Sequence, residues 1–219
     1  VGSRHRRVDE GVGGDVHAHM LHAHQGAFSG KRHAQRLLHR RLLIGRPCAV
    51  DAPLGGELVR NLQQANVDTR AIRTVDGVST GMAVVCVDEK GNNSIIVIPG
   101  ANNLCDVDYL RRNRARFEES DIVLLQMEIP FESVCYAVEL ASGLHKTVIL
   151  NPAPAPDSLP DEVYAGLDYL TPNESEFKRL TGCPTDEVEE LAVHCKPLLE
   201  KGTRNIIITL GSRGALHVN

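Results

Sequence analysis

An asparagine and a glutamate three residues apart, Asn173 and Glu176, sit inside the run Asp-Tyr-Leu-Thr-Pro-Asn-Glu-Ser-Glu-Phe-Lys-Arg-Leu-Thr-Gly over residues 168–182. That spacing puts both on one face of the first turn of a helix. The run has the parts to build such a helix: a short strand ending at Thr171, Pro172 to pre-set the turn, about two helical turns, and Gly182 as a left-handed stop. A helix N-terminus offers unpaired N–H groups and the positive end of its dipole. Open α/β sheets gather their ligands at strand carboxyl ends, where this helix begins. A carboxamide and a carboxylate placed there suit a phosphate and its Mg²⁺. The same two residues also read as a plain N-cap and its capping-box partner.

Three other stretches carry chemistry-bearing side chains. Glu128 follows an apolar strand run, so its carboxylate belongs at the rim of a sheet, where it can accept hydrogen bonds or stand solvated. Asn151 ends the next strand ahead of a proline-rich loop, and its side chain either orients substrate or phosphate or satisfies the loop's backbone. Thr209-Leu210-Gly211-Ser212-Arg213-Gly214 is a strand end running into a glycine-bearing turn, which reads as a β-turn or as a place where backbone approaches a nucleotide. Neither Gly-x-Gly-x-x-Gly nor a Walker-type Gly-Lys-Ser/Thr occurs, which argues against a dinucleotide enzyme or a P-loop kinase.

Leu-Thr-Pro-Asn-Glu-Ser-Glu with Leu-Thr-Gly behind it resembles the Asn-x-x-Glu motif of the ribokinase branch of the PfkB-type carbohydrate kinases. Leu125-Gln126-Met127-Glu128, Leu150-Asn151-Pro152-Ala153-Pro154-Ala155 and Ile208-Thr209-Leu210-Gly211-Ser212-Arg213-Gly214 match in the same order. The resemblance runs from about Gly55 to Asn219. It implies a ribokinase-like α/β fold: three layers, αβα, with a mostly parallel sheet and a small β lid over the sugar at about residues 78–101. It implies transfer of the γ-phosphoryl of ATP to a pentose, D-ribose giving ribose 5-phosphate. Glu176 would hold Mg²⁺ through water and Asn173 would contact phosphate or metal-bound water. Thr209, Leu210, Gly211, Ser212, Arg213 and Gly214 would lie along the ATP, and Glu128 would bind sugar. The lid would also serve as a homodimer contact.

Some family features are not found. The Gly-Ala-Gly-Asp motif with its catalytic Asp, and the monovalent-cation (K⁺) site near it, are expected beyond Asn219. The fold is then truncated at its C-terminus, no catalytic residue lies in this chain, and the chain as written is expected to be inactive. The N-terminal Asp that holds the sugar and the Gly-Gly-Lys-Gly-Ala-Asn segment are also absent, and Gly30-Lys31 carries no family role. Two alternatives follow: a non-catalytic fragment acting as a nucleotide-binding or dimerising module, or a related kinase for another sugar or nucleoside.

Composition fits this class. The 219 residues are 42% hydrophobic and 24% charged, enough for one stable core without crosslinks. A net charge of −4 gives no reason to expect nucleic acid or an anionic membrane as partner. The six cysteines are scattered without a Cys-x-x-Cys pair, as expected of reduced thiols in the cytoplasm. No apolar run reaches membrane-spanning length, and no signal pattern is present.

Residues 1–55 differ from the rest. Seven of the ten histidines fall there among many arginines, and periodicity is poor apart from Arg36 to Ile44. Weak order is expected, and a wrong start or a shifted reading frame upstream of Pro53 would account for the bias. His17, His19, His22 and His24 have metal-binding chemistry but no carboxylate to order them, so a basic arm is the expectation.

Residues 56–219 then read as one partial kinase domain. Leu58, Leu62 and Ala65 mark a helix face ended by Asn66, and residues 81–87 and 94–98 form a hairpin. Val107, Leu110, Arg114 and Phe117 predict one helix. After that, strands over 121–126, 147–150, 168–171 and 205–209 alternate with helices, the sign of a parallel sheet. Asp186 and Glu189 predict a capping box, and Pro197 a bend in the helix that follows.

Overall fold

The computed structural model describes residues 18–21, 42–44, 54–89, 93–184 and 187–219. Its main body is a seven-stranded sheet in the order β1-β9-β8-β7-β6-β5-β2. The strands are β1 (Ala18–Leu21), β2 (Leu42–Ile44), β5 (Ile122–Leu125), β6 (Thr147–Leu150), β7 (Tyr169–Leu170), β8 (Asn205–Thr209) and β9 (Ala215–Val218). From β2 to β8 all pairings are parallel, while β9 and β1 add antiparallel at one edge. The remaining strands, β3 (Met82–Val87) and β4 (Asn93–Ile98), pair with each other as a separate two-stranded ribbon.

The helices are α1 (Leu54–Gln64), α2 (Val107–Arg112), α3 (Arg114–Glu119), α4 (Phe131–Gly143), α5 (Asp161–Ala165), α6 (Glu174–Thr181) and α7 (Val188–Glu200). Each connection among β5, β6, β7 and β8 steps one strand in the same direction. Right-handed crossovers therefore place α4, α5, α6 and α7 on one face of the sheet. The row Leu125–Leu150–Leu170–Ile206 is 0–3% exposed, as burial beneath those helices requires. The adjacent row Leu124–Ile149–Tyr169–Asn205, which points the other way, is only half-buried. Val134, Ala137, Val138 and Ala141 form the buried stripe expected of α4. Each fully buried Leu or Ile contributes on the order of 1.5–3 kcal/mol, so this layer dominates stability.

Several local expectations change. The predicted helix over 107–117 is two helices, because Asn113 (φ −102°, ψ 16°) leaves helical geometry and its side chain donates to the Tyr109 carbonyl at 2.9 Å. The stripe on α1 is left uncovered, with Leu58 49% exposed and Ala65 exposed. Asn66 does take the left-handed cap, at φ 58°. α7 starts at Val188 after Glu187, which makes no side-chain cap bond, and runs through Pro197 to Glu200; Asp186 lies outside the described residues. The weak order expected of residues 1–55 also falls mostly outside them; the described part is strands β1 and β2, which hold the two edges of the sheet, and the first two residues of α1.

The ribbon returns to the body through a 3₁₀ turn at Gly100–Leu104, whose Ala101 is buried. Gly100 has φ 50°, and a Cβ there would stand 2.4 Å from the Ser79 carbonyl oxygen, so no other residue fits without moving the chain.

Candidate active site

All four parallel strands β5–β8 end on the same edge of the sheet, and each candidate residue lies at or just beyond one of those ends. Glu128 follows β5 and is exposed. Asn151 follows β6, its N–H bonded to the Leu125 carbonyl at 2.9 Å. The loops beyond these strands are joined by Met127 N–H to the Ala153 carbonyl at 3.1 Å, next to a cis Ala153–Pro154 bond. The start of the loop is also held by Ala153 N–H to the Asn151 carbonyl at 2.8 Å.

Asn173 caps α6. Its side chain accepts from the Glu176 N–H at 2.8 Å, and the Glu176 Oε2 accepts from the Asn173 N–H at 2.8 Å. The capping box expected from the sequence is therefore present, and it holds the Glu176 carboxylate over the helix N-terminus with Oε1 outside the box. Gly182 closes the helix at φ 69°. Phe177, fully buried, seats α6 on the core.

The turn after β8 lies directly beside this cap. Thr209 N–H donates to the Pro172 carbonyl at 2.9 Å, and Asn173 and Thr209 form an isolated parallel bridge. Gly211–Arg213 then make a 3₁₀ turn, with Gly211 at φ 56° and Gly214 at φ 97°. Leu210 N–H donates to the Gly214 carbonyl at 2.8 Å, which closes the turn. Thr209, Gly211, Ser212 and Arg213 are exposed, whereas Leu210 is 2% exposed and belongs to the core. Of the six turn residues, Leu210 therefore shapes the turn from the core, with its N–H given to Gly214 and its carbonyl accepting from the Arg213 N–H at 3.1 Å.

The Arg213 guanidinium pairs with Glu174 on the first turn of α6. Sequence reading passed over Glu174. Its neighbours Asn173 and Glu176 carried the motif, and local spacing gives no sign of a partner 39 residues away.

The turn and the helix cap together leave an open, polar surface. Space is open around Gly211, where a Cβ would meet nothing within 4 Å. Carboxylates at Glu174 and Glu176 and the cap amide at Asn173 line the adjoining helix N-terminus. Among the described residues no group of three or more His, Cys, Asp or Glu could enclose a metal, so any cation there would rely on water and phosphate oxygens as well. His17, His22 and His24 lie outside the described residues, and so does the His19 side chain.

Comparison with known proteins places the fold. A deoxyribokinase of Salmonella typhi is 34% identical over 158 residues, covering 72% of this chain and 52% of its own length. A ribokinase of Haemophilus influenzae is also 34% identical, over 194 residues, covering 87% and 63%. The chain thus spans between half and two-thirds of these relatives. The solved structure of Arabidopsis thaliana ribokinase complexed with ribose and ATP superposes with a TM-score of 0.66 at 30% identity, covering 80% of this chain and 56% of that one. Ribokinase from Thermotoga maritima gives a TM-score of 0.64 at 33% identity, covering 81% and 55%. The described fold is accordingly ribokinase-like α/β. The family pattern described as pfkB family carbohydrate kinase matches residues 34–219, beginning ahead of the resemblance read from about Gly55. With that match running from before α1 to the last residue of β9 and beyond, the chain belongs to the pfkB family of carbohydrate kinases.

Proposed function

We propose that the protein is a cytoplasmic, ATP-dependent sugar kinase acting on the primary hydroxyl of a pentose, with D-ribose as first candidate and ribose 5-phosphate as product. One observation supports this above the others: the α6 cap and the 209–214 turn are tied by the Asn173–Thr209 bridge and the Arg213–Glu174 pair. A turn open to nucleotide and a helix N-terminus open to phosphate so form one surface. Two relatives, one named deoxyribokinase and one named ribokinase, share the same identity with this chain, so 2-deoxyribose is the competing substrate.

Phosphoryl transfer needs alignment and charge neutralisation more than covalent help. Residues 209–214 would bind the nucleotide, with Leu210 holding the shape of the turn. Asn173 would bind phosphate or metal-bound water, Glu176 would receive Mg²⁺ through water on its Oε1 side, and Glu128 would bind sugar hydroxyls. Mg²⁺, when bound, supplies neutralising charge on the phosphates. We assign no general base to these carboxylates. Glu174 is engaged by Arg213 and Glu176 by the cap, while Glu128 lies on the far side of β6 from that cap. Catalysis by these three carboxylates alone would therefore lack the 10²–10⁴-fold assistance that a base typically gives.

The ribbon supports a further part of the reading. Met82, Val84, Ile96 and Ile98 share one face, Val85, Val87, Ile95 and Val97 the other, and all are 40–65% exposed. A two-stranded ribbon is marginal alone. We assign one face to the sugar site and the other to a second copy of the chain, and a dimerising module is the second functional reading.

The test uses the full-length protein with ribose and 2-deoxyribose. Glu176→Gln keeps the capping box, since Gln serves at that position, so stability should hold while turnover falls roughly 10²-fold. Glu128→Ala should chiefly raise the sugar KM. Loss of stability alone in both variants would overturn the assignments.

A further inference from the structure

Among the described residues two enclosed side-chain atoms have no hydrogen-bond partner, Ser133 Oγ and Asn151 Oδ1. Ser133 is buried in the first turn of α4, inside the core. Asn151 lies on the rim, one residue past the last paired residue of β6. It is in line with Gln126 beyond β5 and Thr171 beyond β7, and strand alternation puts it on the half-buried face of the sheet. Of the two roles open from the sequence, support of the loop's backbone is not the one its amide oxygen performs, because that oxygen accepts from no loop N–H. An enclosed acceptor without a donor is costly, and such groups in native proteins usually await a ligand or a water.

We propose that Asn151 is a substrate-contacting residue whose amide oxygen accepts a hydrogen bond from an O–H group at the seam between the sugar and the phosphates. β6 lies between β5, which leads to Glu128, and β7, which leads to Asn173 and Glu176. Asn151 therefore stands between the proposed sugar contact and the proposed metal contact. Phosphate oxygens only accept, so an amide oxygen cannot hold them. The donor is a sugar hydroxyl or a metal-bound water. Rotation of the amide would enclose Nδ2 instead, and an aspartate variant separates the two cases.

This inference rests on the kinase reading above. In the full-length protein, the KM for the pentose and the Mg²⁺ concentration giving half-maximal rate are measured for wild type, Asn151→Leu and Asn151→Asp. Asn151→Leu should raise one of these constants about tenfold, as loss of one good hydrogen bond predicts, and Asn151→Asp, which keeps an acceptor, should raise it much less. A change in sugar KM alone identifies a hydroxyl, and a change in Mg²⁺ dependence alone identifies metal-bound water. Should Asn151→Leu fail to fold, Asn151→Ala reads the same constants. An active wild type with both constants unchanged in the apolar variant, or an aspartate variant as impaired as the leucine one, overturns the inference and leaves the kinase reading standing. A wild type inactive on both pentoses overturns both.

Discussion

The ribbon β3–β4 and the strands β5–β8 are both built chiefly from apolar residues, Val and Ile in the ribbon and Val, Ile and Leu in the sheet, yet their surroundings are opposite. Leu150, Leu170, Ile206 and Ile208 are 0% exposed, whereas Val85, Ile95, Ile96 and Val97 are 55–59% exposed. The sheet gains its cover from the helices of its own crossovers, a consequence of parallel connection. A hairpin has no such crossover, so its two apolar faces must be covered by something else. Apolar strand composition thus reports that a surface is to be covered, and the connection decides whether the chain covers it itself.

The largest expected effect that tests this contrast is in the sheet. Leu170→Ala should destabilise the protein by about 2–5 kcal/mol in denaturant unfolding, since the cavity would lie under helices that cannot follow it. A loss no greater than that of an exposed substitution would break the comparison.

Thiols give a second, intermediate measure. Cys86 on the ribbon is exposed, while burial pushes the Cys195 thiol, beside Cys183, up to about 12. In the native state Cys86 should react with an alkylating reagent and Cys195 should not. Because the folded value is above the ordinary value of 9.0, the unfolded chain gives up this proton first as pH rises. The stabilising effect of the neutral thiol is complete below about pH 9 and is lost towards pH 12. Alkaline denaturation should begin in that window and shift upward in Cys195→Ala; an unchanged profile would remove the thiol from the account.

The smallest effect on stability belongs to the ribbon. Val85→Thr with Ile95→Thr should change unfolding free energy by within about 0.5 kcal/mol, as exposed substitutions do, while weakening self-association in sedimentation. A large loss of stability without any change in association would mean that the ribbon is covered by its own chain.

The parallel strands β5–β8 were legible, whereas β1, β2 and β9 were not read from the sequence. Thr147–Leu150 and Asn205–Thr209 were bounded by turn residues and filled with β-branched or large apolar side chains, so their limits came directly from composition. The α6 cap was legible because its partners are three residues apart. The break at Asn113 was not, since the apolar spacing continues across it and only the local dihedral differs. The stripe of α1 gave the face of a helix but not what covers it, and Leu58 shows the gap between the two. The Arg213–Glu174 pair was beyond reach because it depends on how far β8 extends past β7.

That extension constrains how the family can vary. β7 has only two residues, yet its pairing with β8 resumes after Pro172 in the same register, through Asn173 and Thr209. The helix cap and the glycine turn are thus measured off along a single ladder. Grafting the turn of a relative onto this chain without its matching cap would misplace one against the other by a strand residue or more wherever the two ladders differ in length. The smallest interchangeable cassette is then the pair, residues 169–176 with 205–214, and neither half alone.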